Sequence, residues 1–102
     1  MDAKITLTTE QCNIIKSILD ESLNPSDKVF IFGSRTTGKA KPYSDIDLAI
    51  DLHKQTILSL DILSELEDKF EDSALPYKVD IVDLNNVSDN FKNAISHQAI
   101  LI

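Results

Sequence analysis

The sequence predicts a single α/β (α+β) domain spanning residues 1–102, built as a mixed β-sheet of three or four strands packed with helices in the order α-β-β-α-β-α. Three observations predict it. Short β-branched and aromatic runs stand at residues 28–32, 45–52 and 78–83. Apolar residues between and around them recur at helical spacing. The connections then fix the pairing. Residues 34–44 are too few for a parallel crossover, so the first two strands run antiparallel, whereas the helical stretch 54–76 permits a parallel βαβ unit.

Each element has its own signals. Thr8 with Gln11 three residues on forms a capping box, with Leu7 placed to staple onto Cys12. From there Cys12, Ile15, Ile18, Leu19 and Leu23 make a helical stripe that Asn24-Pro25 closes. Lys28-Val29-Phe30-Ile31-Phe32 runs into Gly33 and reads as a strand buried on both faces. Residues 34–44 are polar, contain Gly38 and Pro42, and make a loop with room for one helical turn. Residues 45–52 alternate strictly, with Ile46, Leu48, Ile50 and Leu52 on one face and Asp45, Asp47, Ala49 and Asp51 on the other, as in a half-buried strand. Ile57, Leu58, Leu63, Leu66 and Phe70 give a second helix that stops before Pro76. Residues 78–83 return to strand character, and Ser88 or Asp89 caps a last helix carrying Phe91, Ala94 and Ile95. The terminal Ala99-Ile100-Leu101-Ile102 is either an edge strand or an adhesive surface for a partner.

Composition narrows the function. A chain of 102 residues with 42% hydrophobic content buries one core. Seventeen acidic against ten basic residues give a formal net charge of −7, which opposes a nucleic acid as main partner and suits a basic protein better. Neither a signal peptide nor an apolar run near the ~20 residues of a membrane span is seen, so a cytoplasmic location is expected. The lone Cys12 lacks the neighbours of a zinc site and fits a reducing compartment.

The chemistry lies in the carboxylates. Asp45 and Asp47, two apart on a strand, project from one face with Cα atoms about 6.6 Å apart, a spacing suited to holding divalent metal. The inferred topology brings Asp80, on a neighbouring strand, to the same sheet edge. Asp80 completes the set and is placed to activate an incoming hydroxyl, with Asp83 as the alternative ligand nearby. Gly33 lets a backbone approach phosphate closely, and Ser34 adds amide and hydroxyl donors. Arg35 is either a phosphate contact or a structural partner, and Lys39 and Lys41 are weaker candidates. Asp51 reads as a solvated or salt-bridging residue, and His53 and His97 as surface or capping residues.

Gly33-Ser34, ten intervening residues, Asp45-Ile46-Asp47 and a later hydrophobic strand carrying Asp80 resemble the signature of the DNA polymerase β-type nucleotidyltransferases. More narrowly, the stretch from Phe32 to Asp83 is similar to the minimal nucleotidyltransferases. That resemblance implies a polymerase β palm-like fold, catalytic and metal-binding Asp45, Asp47 and Asp80, and nucleotide binding at Gly33, Ser34 and Arg35. It implies magnesium or manganese as cofactor, ATP as substrate and a HEPN-domain toxin as partner, with AMP transferred to a hydroxyl of that toxin. Two alternatives stand beside it: a non-catalytic antitoxin that neutralises its partner by complex formation, and a nucleotidyltransferase acting on RNA or a small molecule.

Overall fold

Helix α1 (Thr9–Ser22) begins at a reciprocal cap, in which Thr8 Oγ1 accepts the Gln11 N–H and Gln11 Oε1 accepts the Thr8 N–H, both at 3.0 Å. The computed structural model describes residues 5–41, 44–53 and 56–102. After α1 come β1 (Lys28–Phe32), a single turn α2 (Ser34–Thr37), β2 (Ile46–Asp51), α3 (Leu60–Glu71), β3 (Val79–Asp83), a 3₁₀ turn, α4 (Asp89–Ser96) and β4 (Ile100–Leu101). The expected order is present, with α2 as the helical turn in the loop and β4 as a fourth strand.

The strands form one mixed sheet in the order β3-β2-β1-β4. β1 runs antiparallel to β2 and to β4, and β2 runs parallel to β3, as the connection lengths require. The apolar terminus resolves to the edge-strand reading, with Ile100 and Leu101 paired to Ile31 and Phe30.

Period-two alternation sends the two sides of the sheet to different partners. On one side Ile31, Ile46, Leu48 and Ile50, all 0% exposed, meet Ile15 and Leu19 of α1 and Leu66 and Phe70 of α3. On the other, Phe32 and Ala49 meet Ile95 of α4, with Phe30, Val82 and Leu84 around them. This corrects the reading of β2 as half-buried, because α4 covers Ala49 completely. Only its aspartates stay part-exposed.

Helix α3 starts later than its apolar period suggests. Ser59 accepts the Ile62 N–H and caps the helix. Leu58 is buried from the extended lead-in, while Ile57 stands 61% exposed. Of the two candidate caps for α4, Ser88 fills the role by accepting the Phe91 N–H. No helix among the described residues is long and apolar enough to cross a membrane.

Candidate active site

Strand register brings the acidic residues together. Phe32 is the cross-strand partner of Asp47, and Asp47 is the partner of Asp80 on the parallel strand. The three side chains therefore form one row across β1, β2 and β3 on the face that α4 only partly covers. Asp45 lies exposed just before β2, two residues from Asp47 and on the same edge.

Crowding leaves an electrostatic mark. The Asp47 carboxyl is pushed above the ordinary Asp value by burial first, then by the charges of Asp80 and Asp45. Lys78 Nζ lies 3.6 Å from Asp80 and offsets part of this charge from a solvent-exposed position. No three His, Cys, Asp or Glu side chains among the described residues are already gathered as a cation cage. The donor chemistry nonetheless fits a hard divalent cation: oxygen ligands only, mutually repelling, and half-open to solvent.

Gly33 sits against this row for steric reasons. Its φ of 80° lies in the left-handed region, and a Cβ there would collide with Asp47 Oδ2 and stand 3.4 Å from Asp47 Cγ. Only glycine allows the turn into Ser34, the first residue of α2, to press onto the carboxylate. Thr36 then donates its N–H and its hydroxyl to Gly33 O, each at 3.1 Å, which closes the turn.

Arg35, read from the sequence as either a phosphate contact or a structural partner, makes structural contacts. Its side chain is 3% exposed, donating from Nη1 to Thr6 O at 3.1 Å and from Nη2 to Ser44 O at 2.6 Å, and it lies 4.1 Å above the Tyr77 ring. Thr6 in turn donates its N–H to Arg35 O. The guanidinium thus ties the turn after β1 to the residue before Asp45 and to the start of β3. Its direction is inward. Lys39 and Lys41 are exposed loop residues.

Asp83 is accounted for elsewhere. Its Oδ2 accepts the Leu58 N–H at 2.6 Å and its Oδ1 the Asn85 N–H at 3.0 Å, three residues along β3 from Asp80. Sequence reasoning missed Gln98, whose Oε1 accepts the Gly33 N–H at 2.7 Å from 65 residues away. It also missed Lys78, although alternation places Lys78 on the same strand face as Asp80.

The sheet topology and the carboxylate row around a glycine turn define the class of nucleotide-transferring palm domains. The family described as "Polymerase beta, Nucleotidyltransferase" matches residues 13–102, and this chain belongs to it. It is 38% identical over 102 residues to the probable protein adenylyltransferase MntA of Haemophilus influenzae, covering 98% of this chain and 85% of that one. Among solved structures it resembles a toxin-antitoxin with AMP-PNP, at 29% identity and a TM-score of 0.73, covering 87% of this chain and 69% of that one. The toxin-antitoxin MntA-HepT is similar at 26% identity and a TM-score of 0.68, over 92% and 70% of the two chains.

Proposed function

We propose that this chain is a metal-dependent protein adenylyltransferase that transfers AMP from ATP to a hydroxyl of a cognate HEPN-domain toxin and so acts as its antitoxin. The observation that carries the reading is the register match of Asp47 with Asp80 beside Gly33. The relatives support it: one is named a protein adenylyltransferase, and another is a toxin-antitoxin with AMP-PNP. The acidic balance of the chain suits a basic protein acceptor. Action in the cytoplasm, as one domain, belongs to the same proposal.

Asp45, Asp47 and Asp80 would hold magnesium or manganese, which supplies charge neutralisation on the triphosphate. The Gly33-Ser34 turn receives phosphate oxygens beside Asp47, and Arg35 keeps that turn in place from behind. The acceptor's hydroxyl oxygen bonds to the α-phosphorus, the bond from that phosphorus to its bridging oxygen breaks, and pyrophosphate leaves. Asp80, part-exposed with its side chain 44% accessible, takes the hydroxyl proton on a carboxylate oxygen.

Incubation of the chain with its toxin, ATP and magnesium, followed by intact-mass analysis of the toxin, tests the proposal. An adduct of one or more AMP groups with loss of toxin activity is expected. An unmodified toxin inhibited stoichiometrically would instead leave a non-catalytic antitoxin.

A further inference from the structure

We infer that Gln98 is a nucleotide-binding residue of this site, its side-chain nitrogen donating to the polyphosphate while its side-chain oxygen holds the Gly33 turn. The inference rests on the nucleotidyltransfer reading above and extends it to a residue outside the acidic row.

Three observations carry it. A main-chain N–H can only donate, so the bond from Gly33 N to Gln98 Oε1 at 2.7 Å fixes which end of the amide faces the turn. The nitrogen Nε2 is thereby directed away from that bond. It donates to nothing among the described residues, and it is absent from their buried unpartnered atoms, of which Arg35 Nε is the one found. Among the described residues, both hydrogens of Nε2 are therefore without an acceptor. Finally, Gly33 is the residue whose Cα presses on the Asp47 carboxylate. Gln98 and Asp47 flank the same glycine, so a phosphate chain lying beside Asp47 and Gly33 passes within reach of the amide. Gln98 itself is held by the end of α4, where its N–H donates to Ile95 O at 3.0 Å.

The test is titration of a non-hydrolysable ATP analogue with magnesium into the full chain, its Gln98→Glu variant and its Gln98→Met variant, with thermal melting of each. Gln98→Glu keeps an oxygen for the Gly33 N–H and replaces the donor with a charge that repels phosphate. Its melting temperature should stay near that of the native chain while affinity falls by about ten- to a hundredfold. In label transfer its KM should rise and its kcat hold. Gln98→Met, lacking both the lock and the repulsion, should lose less affinity than Gln98→Glu. Native-like affinity in Gln98→Glu beside weakened Gln98→Met would overturn the assignment and leave Gln98 a structural strut. If Gln98→Glu does not fold, native-like affinity in Gln98→Met overturns it equally. A native chain that binds no analogue would sink the nucleotide reading itself, an outcome distinct from variants matching a native chain that binds.

Discussion

On the sheet face covered by α1 and α3, Ile31, Leu48 and Leu66 are wholly buried within one continuous cluster. The face covered by α4 has a smaller cluster of Phe32, Ala49 and Ile95, a cavity of about 150 Å³ beside it, and Asp47 and Asp80 part-exposed at its open end. The same three strands supply both faces. Two helices make one face a source of stability, while a single short helix leaves the other accessible. The function proposed above, which brings ATP and a protein hydroxyl to this site, needs such an opening, and charges held at close range there work against the fold.

Truncations break this comparison most strongly. Leu66→Ala should cost about 3 kcal/mol in urea unfolding, and Ile95→Ala about half that, because the Ile95 cluster already borders a cavity. Equal losses would mean that both faces are packed alike. Gly33→Ala forces a Cβ into Asp47 and strains a left-handed backbone, at a cost of about 2 kcal/mol with loss of nucleotide binding. Calorimetric titration with ATP and magnesium checks it. Arg35→Lys, unable to donate in a fork to Thr6 O and Ser44 O, should lower stability by about 1–2 kcal/mol and weaken transfer without abolishing it.

The smallest effect has the opposite sign. Since the Asp47 carboxyl is harder to ionise when folded, its contribution favours the fold below the ordinary value of 3.8 and is lost as pH rises through the raised value. Ionised Asp47 thus opposes folding at neutral pH. Asp47→Asn should raise the melting temperature there by on the order of a few °C, an advantage that fades in acid. A destabilised variant would show that the three charges do not repel as the structure implies.

Much of this was legible in the sequence, because it follows from local spacing. Thr8 and Gln11 announce their cap, and the short and long connections around Asp45 and Asp47 dictate which strand pairs are antiparallel and parallel. Those pairings alone bring Asp80 beside Asp47. Contacts between distant segments were not legible. Phe91 and Ile95 mark a helix, but nothing local says that it lies over Ala49 rather than in solvent. The direction of Arg35 depends on Thr6, Ser44 and Tyr77 at once, and the hold of Gln98 on Gly33 joins residues 65 apart in the chain. The late start of α3 reflects Ser59, whose capping outweighs the apolar period that begins at Ile57.

The most direct test of the acidic row as a nucleotidyl-transfer site compares toxin labelling from α-labelled and γ-labelled ATP, with magnesium, by the native chain and by Asp47→Asn. Label is expected from the α-phosphate alone, reduced by about a thousandfold or more in a variant that melts no lower than the native chain. Label arriving from the γ-phosphate, or undiminished labelling by the folded variant, would contradict it.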